Sequence, residues 1–114
     1  MSSLAELTQR VRAFATARDW EQFHSPKNLS MALMVEAAEL LEHFQWRTQD
    51  ESRELDAVAL DAVRLEAADV LIYLVRLADV LGIDLLQAAR DKIELNEQKY
   101  PAERVRGDAR KYTD

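Results

Sequence analysis

The chain has 114 residues, enough for one small domain, with 15 basic and 21 acidic side chains and a formal net charge of −6. An acidic surplus excludes a surface that coats nucleic acid, which needs a basic excess. Cysteine is absent and histidine occurs twice, so disulfides, zinc–thiolate centres and cysteine nucleophiles are excluded and a His-rich metal site has little to draw on.

Glycine and proline contribute two residues each, against 33 alanines and leucines and 15 β-branched residues. Few turn formers and many helix formers predict an all-α fold. The longest uncharged run, 28–35, is far too short to span a bilayer. The N-terminus shows no basic-then-apolar leader pattern, and a cytoplasmic protein is expected. So short a chain buries a small core, and oligomerisation is expected to complete it.

Four helices are predicted in chain order. The first covers about 3–18: Ser3 and Glu6 have capping-box spacing, and Leu4, Leu7, Val11 and Phe14 form one apolar stripe. After a connection over 19–27, Ser25 and Pro26 suit the N-cap and first turn of a second helix reaching about Trp46. The polar stretch 47–54 reads as a loop. A third helix over about 55–81 stops at Gly82, and Asp84 with Gln87 opens a fourth that runs to Tyr100 before Pro101. The remainder, 102–114, is polar and expected to be irregular. Short connections favour a four-helix bundle in one domain, 1–114.

Two pairs of acids occupy the wrong faces for ordinary surface residues. At 100° per residue, Glu66 and Asp69 of the third helix lie with Tyr73, Val63, Val70 and Leu77, while Asp61, Arg64 and Asp79 lie on the opposite side. On the second helix, Glu36 and Glu39 lie with Leu29, Leu33, Leu40 and His43. A carboxylate on an apolar face must find a cation or take up a proton. Two helices packed together would bring four carboxylates to one place, with Ala37, Ala38, Ala67 and Ala68 keeping the bulk small. Oxygen donors without sulfur or imidazole suit a hard cation, Mg²⁺ or Mn²⁺. A di-iron bundle would want Glu-x-x-His on two helices, which neither pair offers. The alternative is that the acids are rim residues paired with Lys or Arg.

Glu36-x-x-Glu39 followed by Glu66-x-x-Asp69 resembles the all-α nucleotide pyrophosphohydrolases of the MazG-like superfamily. The strings Arg18-Asp-Trp-Glu-Gln-Phe-His24, Pro26-x-Asn28-Leu29, Phe44-Gln-Trp46, Asp69-Val-Leu-Ile-Tyr-Leu74, Lys99-Tyr-Pro101 and Lys111-Tyr-Thr-Asp114 look most like its dCTP pyrophosphatase branch. The resemblance covers nearly the whole chain. It implies Mg²⁺-dependent hydrolysis of a deoxynucleoside triphosphate, dCTP or a modified dCTP foremost, to the monophosphate and pyrophosphate. It implies that Glu36, Glu39, Glu66 and Asp69 bind the metal and carry the catalysis. By the same matching Trp20, Glu21, Gln22, Phe23, His24, Trp46 and Tyr73 line a nucleotide pocket, in a dimer or a tetramer built from dimers. The chain departs from many members in having Val35 and Ala38 where small glycines are common, and Val11 where some carry histidine.

Taken physically, a polyphosphate and four carboxylates repel unless divalent ions bridge them, so activity is expected to need metal. Trp20, Phe23, Trp46 and Tyr73 offer a stacking wall or, at helix ends, core packing, and the resemblance favours the pocket for Trp20 and Trp46; stacking alone tells bases apart poorly. Lys92, Asn96 and Lys99, with Tyr100 beside them, form a stripe that meets outgoing phosphates or is simply solvated. Lys111 and Tyr112 offer a clamp or a solvated tail. The rival readings are a non-catalytic helical oligomerisation or nucleotide-sensing module, and the same chemistry on another triphosphate such as dUTP.

Overall fold

The computed structural model describes residues 3–109, and all regular structure among them is helical. The helices number six rather than four: α1 Leu4–Ala17, α2 Pro26–Glu42, α3 Gln49–Arg53, α4 Ala57–Leu81, α5 Leu85–Lys99 and α6 Ala102–Val105, with a 3-10 turn at Glu21–Phe23. None is long and apolar enough to cross a membrane.

The starts are set by capping. Ser3, Ser25, Asp56 and Asp84 each accept a backbone N–H three residues on with their side chains, at about 1 kcal/mol apiece. Pro26 takes the first turn of α2, where its missing N–H costs nothing. Gly82 ends α4 in the left-handed region at φ 69° and ψ 29°, its N–H returning to the carbonyls of Ala78 and Asp79.

Two stretches differ from expectation. The polar segment 47–54 contains α3, held by a complete capping box: Thr48 accepts from the Glu51 N–H while the Glu51 carboxylate accepts from the Thr48 N–H at 2.8 Å. In the tail, the Pro101 carbonyl accepts from Arg104 and Val105 and starts α6. Both helices are too short for hydrophobic periodicity to reveal them. The second helix also stops at Glu42, four residues before Trp46, and unwinds through turns at Phe44 to Arg47.

The chain divides into two compact units at Gly82 and Ile83. In the first, α4 packs against α2 and α1. Leu29 of α2, Ala15 of α1, and Val75 and Ala78 of α4 form its buried apolar core. Along α2 the half-buried stripe continues from Leu29 through Leu33, Glu36 and Leu40; along α4 it runs Ala59, Val63, Glu66, Val70, Tyr73 and Leu77. Glu36 on the first stripe and Glu66 on the second take places that helical periodicity reserves for apolar residues, and Glu39 is half-buried on α2 as well. The second unit holds α5, whose residues are exposed apart from half-buried Leu85, and the α6 turn.

Asp79 corrects the expectation of a solvated face. Asp61 and Arg64 are exposed and paired with each other, but the Asp79 side chain is only 12% exposed. It accepts two hydrogen bonds from Arg12 of α1, at 2.9 and 2.5 Å, and one from Arg76 at 3.1 Å. The reason is that α1 also packs on α4, so the later turns of α4 are covered on more than the α2 side.

Candidate metal and nucleotide site

The positions of Glu36 and Glu39 on α2 and of Glu66 on α4 follow from the two packed stripes. These three residues each bring a carboxylate oxygen to within 4.8 Å of the other two. Oε2 of Glu36 and Oε2 of Glu66 are shielded from solvent and meet no donor. Such a pair either shares a proton or holds a cation. Without a cation, the Glu66 carboxyl, close enough to share a proton, is the leading cause that pushes the Glu36 carboxyl up to about 8, followed by burial and by Glu39. Sharing the Glu36 proton pulls Glu66 downward, but burial, Glu39 and the Asp69 charge outweigh it, so Glu66 is raised too. Three convergent carboxylates with orphaned, shielded oxygens fit a hard divalent cation held by oxygen ligands.

Asp69 stands outside that group of three. It is exposed, one turn beyond Glu66 on α4, and its charge reaches the cluster through Glu66. Tyr73 follows on the same half-buried stripe as Glu66. His43 caps the C-terminus of α2, where its carbonyl accepts from Arg47 at 3.0 Å.

The aromatic string 20–24 is held by a dense local network. Asp19 turns the chain with φ 53°, an uncommon value for a residue with a Cβ. The Trp20 N–H donates to Ala15 at 3.0 Å, Thr16 donates to the Glu21 carboxylate, and Gln22 donates to Asp19. Asn28 donates its side-chain amide to the Phe23 carbonyl at 3.0 Å, tying the turn to α2. Trp20 meets the Phe14 ring edge-on at 5.6 Å and the His24 ring at 6.5 Å, and Arg18 lies 3.6 Å over Phe14. His24 is half-buried, and its Nδ1 accepts from Arg76 Nε at 3.0 Å. Burial, and then the Arg76 charge, hold the imidazole below its ordinary pKa.

The other expected pocket residues are distributed. Trp20 and Phe23 are 44% and 58% exposed, and Trp46, in the turn after α2, is 88% exposed. Lys92 and Asn96 are exposed on α5 of the second unit, and half-buried Tyr100 follows α5. Lys111 and Tyr112 lie outside the described residues. A hollow of about 260 Å³, lined by Phe44, Arg47, Thr48, Gln49 and Ser52, adjoins none of the acids. Sequence reasoning missed Arg76 and Asp79; their i, i+3 spacing was visible, but burial beneath α1 was not.

The chain is similar to several known proteins. Residues 31–114 match the MazG-like family. The chain is 44% identical to the protein named dCTP pyrophosphatase 1 from Mus musculus, over 98% of this chain and 67% of that one. The Homo sapiens protein of the same name is 42% identical over the same shares. A crystal structure of a pyrophosphatase from Archaeoglobus fulgidus superposes with a TM-score of 0.81 at 46% identity, covering 85% of this chain and 91% of that one. The chain therefore belongs to the MazG-like family and is a dCTP diphosphatase-like enzyme.

Proposed function

We propose that the protein hydrolyses a deoxynucleoside triphosphate to its monophosphate and pyrophosphate, with dCTP or a modified dCTP as the leading substrate and Mg²⁺, or Mn²⁺ in its place, as the cofactor. The observation that carries this reading is the convergence of Glu36, Glu39 and Glu66, with two shielded oxygens lacking any donor. Relatives named dCTP pyrophosphatase 1 support the choice of substrate.

In this reading Glu36, Glu39 and Glu66 hold the cation, and Asp69 joins them at the exposed end. When bound, the cation neutralises polyphosphate charge and polarises both the α-phosphoryl group and a water. Glu39 or Glu36, one turn apart on α2, would orient that water and take up its proton. Trp20, Phe23, Trp46 and Tyr73 stack on or flank the base and sugar, with Glu21 and Gln22 bracing the string. His24 supplies a hydrogen bond to the nucleotide. The exposed apolar side chains of α2 and α4, Met31, Met34, Val35, Leu41, Leu60 and Leu65 among them, are covered in a homo-oligomer, a dimer or a pair of dimers.

Incubation with each of the four dNTPs and dUTP in Mg²⁺, followed by product separation, tests the reading. Monophosphate and pyrophosphate are expected, fastest from dCTP. Inorganic phosphate with a diphosphate, or no turnover at all, overturns it.

A further inference from the structure

We propose that Arg76 is a positioning residue that fixes His24 as its Nε2–H tautomer, making His24 a hydrogen-bond donor to an acceptor atom of the bound nucleotide. The assignment rests on the reading that His24 faces the nucleotide, and it deepens that reading.

The guanidinium can only donate, so the 3.0 Å contact from Arg76 Nε obliges His24 Nδ1 to be a bare acceptor. In a neutral ring the proton then sits on Nε2. Nε2 has no partner among the described residues. A guanidinium against the ring, in a half-buried place, also disfavours the imidazolium. His24 is thereby a neutral donor with one N–H to give, held edge-on to the Trp20 indole.

The support for Arg76 is itself built. Arg76 is 7% exposed, and its Nη1 donates to Asp79 at 3.1 Å while Arg12 holds Asp79 from α1. Three residues from two helices thus set the protonation of a ring in the turn between α1 and α2. Nothing in this chain of contacts touches the acid cluster, so its effect belongs to binding rather than to the phosphoryl step.

Two measurements test it. In wild-type protein at neutral pH, ¹⁵N-edited NMR of the histidines is expected to give His24 an unprotonated Nδ1 and a protonated Nε2; the opposite tautomer, or an imidazolium, overturns the assignment. In Arg76→Met, Asp79 keeps Arg12 as a partner, and KM is expected to rise about five- to tenfold with kcat held within about twofold. Arg76→Lys, which still donates, is expected to recover part of that loss. An unchanged KM in a folded, active Arg76→Met protein overturns the proposal. Calorimetry with deoxycytidine and with dCTP locates the acceptor: weakened binding of both in Arg76→Met puts it on the nucleoside, and weakened binding of dCTP alone puts it on the phosphates. Wild-type protein that neither binds nor hydrolyses any nucleotide sinks the functional reading and the ligand role of His24 together, whereas the NMR result stands or falls without substrate.

Discussion

The carboxyl groups of Glu36 and Glu66 oppose each other in the fold, and that opposition makes a testable demand on stability. Glu36 is raised from 4.5 to about 8 in the folded chain. A carboxyl raised on folding contributes fully below its unfolded pKa, and the contribution is lost as pH climbs from there through the folded value. In chelator-treated protein, Glu66→Gln should therefore melt at a higher temperature than wild type at pH 8, with the gap shrinking towards pH 4. Mg²⁺ should raise the wild-type Tm more than that of the variant, by mass action. A less stable Glu66→Gln protein at pH 8 in chelator would contradict the arrangement. Asp79 has the opposite sign. Hydrogen bonding to Arg12, and the charges of Arg12 and Arg76, hold it below its ordinary 3.8 against the pull of burial. Its contribution is present above that value and fades as pH falls through the depressed one. Asp79→Asn, which strips buried Arg76 of its counter-charge, should cost about 3 kcal/mol at pH 7 in urea unfolding, and less as the pH approaches 3.

Helix boundaries are where local chemistry speaks most directly. Gly82 adopts φ 69° with open space around its missing Cβ, so Gly82→Ala meets no clash and should cost only the left-handed strain, about 1–2 kcal/mol. Gly82→Asn should cost less, a ranking that thermal melts of the three proteins can check. These ends were also the parts most legible in the sequence. Ser3, Ser25 and Asp84 cap where their spacing suggested, because a side chain bonding three residues away is a local event. The displaced acids were legible for a related reason: periodicity alone puts Glu36 and Glu66 on the packed stripes. The α3 capping box was written in Thr48-x-x-Glu51 yet passed over, because five polar residues offer no apolar stripe to set beside it. The contact from Arg76 to His24 spans 52 positions, and no spacing rule reaches that far. Asp69 illustrates the finer limit. The i, i+3 step of about 60° is the same for both pairs, yet Glu39 is half-buried and Asp69 exposed, a difference of packing that periodicity does not carry.

At the scale of the molecule, the first unit buries few apolar side chains completely, Ala15, Leu29, Val75 and Ala78, while Met34 and Val58 stand 68% and 82% exposed. Homo-oligomerisation is the proposed answer, and sedimentation should find a dimer or larger at micromolar concentration. Met34→Glu, a charge placed on the exposed side of α2, should shift that distribution towards monomer; an unchanged sedimentation coefficient in Met34→Glu would exclude that part of α2 from the contact. A core this slight carries a further meaning. Where the apolar shell is finished by another copy, folding and association become one equilibrium, and the melting point becomes a function of how much protein is in the tube. Dilution then acts as a denaturant in its own right, and a freshly made chain gains its full resilience only once enough of its siblings have accumulated.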